Sequence, residues 1–68
     1  MGGLIEVFPP WLLTRDRLND VIIFLRELPV EPKRKKQALV AWTRYVGVAL
    51  TYEMVEAVLG PYAEKYRG

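Results

Sequence analysis

Neither cysteine nor histidine occurs in this 68-residue chain. Without them a disulfide scaffold and a zinc finger are excluded, because both are built from those side chains. The commonest catalytic base and the thiol nucleophile are missing for the same reason. No apolar run approaches the roughly 20 residues that a membrane-spanning helix takes. The opening "MGGLIEVFPP" has no basic segment ahead of its short apolar stretch, so it does not read as a secretory signal. Its "MGG" reads as an unstructured start or an expression remnant. Together these absences point to an intracellular, cytoplasmic molecule. Glycine-rich phosphate loops, dinucleotide fingerprints, internal repeats and low-complexity linkers are also absent. Magnesium has no dense carboxylate cluster to hold it.

What remains is a short, apolar chain. Half of it is hydrophobic, 51% by count, which is too much for disorder. A domain this small buries only about 60% of its unfolded surface. Tight helix packing, self-association or a partner has to supply the rest of its stability.

Proline and glycine divide the chain into one domain, residues 1–68, of helix-length pieces. The pattern predicts an all-α fold: a small three-helix bundle with an extended N-terminal arm and a short fourth C-terminal helix. The arm covers 1–13; its "LIEVF" alternates weakly and fits either an edge strand or an ordered segment lying across the bundle. The first helix covers 14–28, with Thr14 as N-cap, Asp16 in the first turn and Leu13 stapled onto Leu18. Leu18, Val21, Ile22, Leu25 and Leu28 make its buried stripe, and Pro29 stops it.

The second helix covers 32–46. Lys35, Ala38, Leu39, Trp42, Tyr45 and Val46 share its inner side, with the Lys35 stem running around the edge. Gly47 suits a left-handed C-terminal position that brings Val48 back toward the last turn. The third helix covers 51–59, capped by Thr51, with Leu50 stapled onto Val55 and Glu53 near the positive end of the dipole. Val55, Val58 and Leu59 face inward, with Met54 or Tyr52 at the margin. Gly60 ends this helix, and Pro61 opens the last short turn over 61–66.

Charge is distributed unevenly. Residues 14–46 carry +4 and the remainder −2. Four consecutive cations, Lys33, Arg34, Lys35 and Lys36, stand at the helix end that disfavours them, at roughly 0.3–1 kcal/mol each. Glu31 offsets part of this if it reaches Lys35. Lys33, Lys36, Val40 and Arg44 are expected along one outer face, flanked by Arg34 and Lys35. Three roles stay open for the cluster: solubility, an anionic partner held by cations and free backbone N–H groups, or a membrane surface.

The stretch "AWTRYVGVALTYEMVEAVLG" resembles a helix-turn-helix unit in outline, over about 25 residues. That resemblance implies a recognition helix beginning "TYEMVEA", which offers Glu53 and Glu56 but no Arg, Lys, Asn or Gln. Its carboxylates would repel a phosphate backbone. Any nucleic-acid contact is therefore expected from Lys33, Arg34, Lys35, Lys36 and Arg44. Trp42 and Tyr45 are expected in the core, and Trp11, Tyr62 and Tyr66 over the bundle ends.

The acid pairs Asp16 with Asp20 and Glu53 with Glu56 fall on wet faces, where nothing tunes a carboxyl for acid–base work. No catalysis, cofactor, metal or small-molecule substrate is expected. Ile23, Phe24 and Val40 exceed what one face of each helix buries, so either the chain's own arm and C-terminal turn or a second chain covers them; with Trp11 of the arm they are the candidate protein-interface residues. The function expected is a small protein–protein interaction or assembly module that self-associates. The alternative is a nucleic-acid-binding accessory protein that uses the basic helix.

Overall fold

Pre-proline residues and two glycines set the joints of the molecule. In the computed structural model, which describes residues 4–65, a 3₁₀ helix at Leu4–Val7 is followed by 3₁₀ turns at Pro10–Leu12 and Arg15–Arg17. Three α-helices come next: α1 (Leu18–Glu27), α2 (Pro32–Val46) and α3 (Tyr52–Leu59). A last 3₁₀ turn spans Gly60–Tyr62. This is the expected small all-α fold, three helices with an N-terminal arm. Met1, Gly2, Gly3 and Tyr66 lie outside the described residues, so the expectations placed on them are not addressed.

Each proline forces the residue before it out of the helical region. Leu28, ahead of Pro29, is extended at φ −68° and ψ 129°, and α1 ends there. Glu31, ahead of Pro32, is extended at φ −70° and ψ 158°, and α2 starts directly after it. At the other end of α2, Gly47 takes φ 78°, a left-handed conformation that a Cβ would strain. The Thr43 carbonyl accepts both the Gly47 and the Val48 N–H at 2.9 Å. Helix α3 opens with a capping box of unusual composition. Thr51 Oγ1 accepts the Met54 N–H at 3.3 Å, and Met54 Sδ accepts the Thr51 N–H at 3.4 Å. A thioether stands where Glu or Gln ordinarily reaches back.

The first helix departs from expectation. Its opening turn, Arg15–Arg17, is 3₁₀, and the α-helix proper begins at Leu18. Thr14 stands at the cap position, but its side chain makes no cap bond, and the Arg17 N–H closes on the Thr14 carbonyl three residues back. The side chains of this turn are engaged elsewhere. Arg15 Nη2 donates to the Val46 carbonyl at 3.3 Å, while Arg17 lies 5.6 Å from the Trp11 ring centre and 3.5 Å from Asp20. "LIEVF" forms no strand; its first four residues wind into the first 3₁₀ helix.

The core runs through every element. Leu12, Val21, Leu25, Leu39 and Trp42 are fully buried, joined by Phe8, Ala38, Met54, Val55, Val58, Leu59 and Ala63. Leu18, Ile22 and Leu28 are half-buried against them. Phe8 and Leu12 make the arm a wall of the core rather than a strap over it. The Trp42 indole N–H donates to the Leu12 carbonyl at 2.6 Å, so the deepest ring on α2 also pins the arm.

Candidate functional site

Helix α2 is turned about its axis relative to the expected orientation. Tyr45, expected inside, is 62% exposed, while Thr43 is buried. The reason lies in hydrogen bonding. A buried threonine is costly only if its hydroxyl is left without a partner. Thr43 Oγ1 donates to the Val40 carbonyl of its own helix at 2.8 Å and so enters the interior satisfied. Turning Thr43 inward brings Lys36 and Val40 to half-buried positions and swings Tyr45 into solvent.

The exposed face of α2 therefore differs from the one the charge pattern predicted. At about 100° per residue, Lys33, Gln37 and Arg44 form one line and Arg34, Ala41 and Tyr45 a parallel one. All of these are exposed except the half-buried Ala41. Helix α2 contains no acidic residue. The side chains of Lys33 and Arg34 enter no hydrogen bond or ion pair among the described residues, so they contribute no such contact to the fold.

Lys35 is different. Its Nζ donates to the Arg26 carbonyl at 2.8 Å, not to Glu31. That carbonyl lies in the last turn of α1, where free carbonyls and the negative end of the dipole favour a cation. One of the four clustered charges thus ties α1 to α2. The backbone at the α2 N-terminus is largely engaged as well. Pro32 has no N–H, and those of Arg34 and Lys35 both donate to the Glu31 carbonyl, at 3.0 and 3.2 Å. An anion arriving here would be held by side chains, with little help from the helix terminus.

The apolar candidates separate. Phe24 is half-buried, and its ring sits 5.6 Å from that of buried Phe8 in a tilted pair. The arm is what covers it. Val40 is half-buried on the flank of α2. Ile23 stays 53% exposed on the outer face of α1, among Asn19, Arg26 and Glu27. Trp11 is 57% exposed, with one ring face toward the Arg17 guanidinium. Tyr62 is exposed as well and lines an open cleft of ≈ 430 Å³ with Pro32, Lys35, Val58 and Pro61.

Sequence reasoning missed Tyr45 as a surface residue and Phe8, Leu12 and Ala63 as core. The inward Thr43 was legible only weakly, since a threonine in a helix is compatible with either face. Among the described residues, no group of three or more acidic side chains is placed to hold a metal ion, and no helix is long and apolar enough to cross a membrane. No protein-family model, curated protein or solved structure matches the chain.

Proposed function

We propose that this domain acts by binding rather than catalysis, and that the outer face of α2 is its contact surface for a nucleic-acid backbone. One observation carries the reading. Lys33, Arg34 and Arg44 stand exposed together on a helix without a single carboxylate, with exposed Tyr45 among them. Lys33 and Arg34 sit where the helix dipole opposes them. Phosphates would reverse that repulsion, and each neutralised phosphate would release condensed counterions. The face is rich in charge and poor in neutral hydrogen-bonding groups, so it supports affinity more than sequence reading. Helix α3, with Glu53 and Glu56 exposed, is unsuited to the groove of a duplex.

Titration of labelled oligonucleotides across a salt series tests this. Binding at low salt should weaken steeply as salt rises. Replacing Lys33 and Arg34 with glutamine should reduce the slope of log affinity against log salt by about 1.4 for a single strand, or about 1.8 for a duplex. No binding at low salt, or an unchanged slope, overturns the proposal.

A second reading rests on Ile23. An isoleucine more than half exposed on α1, ringed by charges of both signs, is the feature that favours self-association. Molecular mass in solution separates the two readings.

A further inference from the structure

Helix α2 carries on one face the two components that unpaired nucleic acid requires: cations for the backbone and an aromatic surface for bases. We infer that the face binds single-stranded nucleic acid in preference to duplex, with Tyr45 as the stacking platform. The inference rests on the binding face proposed above.

The argument begins with position. Tyr45 lies on the Arg34–Ala41 line and follows Arg44 directly in sequence. A long side chain on a helix leans back toward the N-terminus, over the residue four positions earlier. For Tyr45 that residue is Ala41, whose methyl group is too small to cover an aromatic ring. At 62% exposure the ring is available to solvent. Arg44, its neighbour in sequence, sets one cation beside the ring, and Arg34 sets another about 16 Å further toward the helix N-terminus on the same line; guanidinium groups both pair with phosphate and stack beside bases.

Geometry then favours a single strand. In a duplex the base faces are stacked on one another and closed to a protein side chain. A tyrosine lying on a convex helix would meet only sugar and phosphate there. In a single strand every base has a free face, and stacking on an aromatic ring tolerates any sequence. From Lys33 to Arg44 the helix rises about 16 Å, enough for a few nucleotides. Gln37 is the one neutral amide on this face. With so few groups to read a 2′-hydroxyl, DNA and RNA strands should bind alike.

The experiment measures fluorescence anisotropy of labelled oligothymidylate, oligouridylate and a duplex of equal length, each at several salt concentrations. The parent is compared with Tyr45→Ala, Tyr45→Phe and the Lys33→Gln/Arg34→Gln pair, with circular dichroism confirming that each variant keeps its helix content. Both single strands should bind more tightly than the duplex. Tyr45→Ala should weaken single-strand binding roughly ten-fold without changing the salt slope, because stacking releases no counterions. Tyr45→Phe should bind like the parent. If strand and duplex bind equally, or Tyr45→Ala binds like the parent, this inference is overturned, while a salt slope that still depends on Lys33 and Arg34 upholds the binding face. If none of the three probes binds at low salt, both fall together.

Discussion

Trp42 reaches across thirty residues of sequence to donate its indole N–H to the carbonyl oxygen of Leu12, at 2.6 Å in a buried setting. Neither group has access to water as an alternative, so the bond is worth most when its loss is considered. Trp42→Phe keeps an aromatic ring but strands the Leu12 carbonyl and leaves unfilled volume. The expected cost is about 2–4 kcal/mol, from the unsatisfied acceptor together with lost packing. Urea denaturation followed by circular dichroism measures it. A cost below about 1 kcal/mol would mean that the arm releases its carbonyl to water without loss.

Gly47→Ala probes the left-handed turn. A Cβ built at Gly47 would meet Arg15 Nη2 at 3.4 Å, an ordinary contact, so crowding is not the obstacle. The φ of 78° is. The variant should lose roughly 1 kcal/mol or more through backbone strain alone. The same denaturation experiment reads it, and an unchanged midpoint would contradict the assignment.

The two threonines at helix starts should behave differently although the sequence presents them alike. Thr51 accepts the Met54 N–H; Thr14 makes no side-chain cap bond. Thr51→Ala should therefore cost about 1 kcal/mol and Thr14→Ala only a few tenths. Equal losses in thermal or urea unfolding would show that the capping distinction does not operate in solution.

Ile23→Glu addresses self-association. If α1 forms the interface, light scattering should give a dimer or small oligomer for the parent and a shift toward monomer for the variant. Helix content should be unchanged, because Ile23 is not part of the buried core. A specific contact would bury at least about 1,000 Å² in total. A parent that stays monomeric at high micromolar concentration removes this reading.

Much of the fold was written in local signals. Pro29, Pro32 and Gly47 act on their immediate neighbours, so the limits of α2 follow from the sequence without knowledge of what packs against it. Thr51 is local in the same sense. The rotation of α2 is a different kind of property. Thr43 and Tyr45 are two residues apart, and helical spacing alone admitted Tyr45 to the inner side. The choice depends on Trp42 finding Leu12 and on Thr43 finding the carbonyl of Val40. Only the second partner is near in sequence. Phe24 poses the same problem, since Phe8 is what covers it. The basic cluster was conspicuous in the sequence, yet the diversion of Lys35 to Arg26 required the angle between two helices.

The ties that hold the arm and the turn ahead of α1 also bear on the order in which the molecule assembles. Trp42 with Leu12 and Arg15 with Val46 span 30 and 31 residues. Chain entropy must be surrendered to close loops of that length before either bond returns anything. The turn from α2 into α3 asks far less, since its bonds at Gly47, Val48 and Met54 reach only three to five residues. Folding should thus begin in the C-terminal half and finish with the arm. The arrival of Phe8 and Leu12 should come last and complete the core that they share with the three helices.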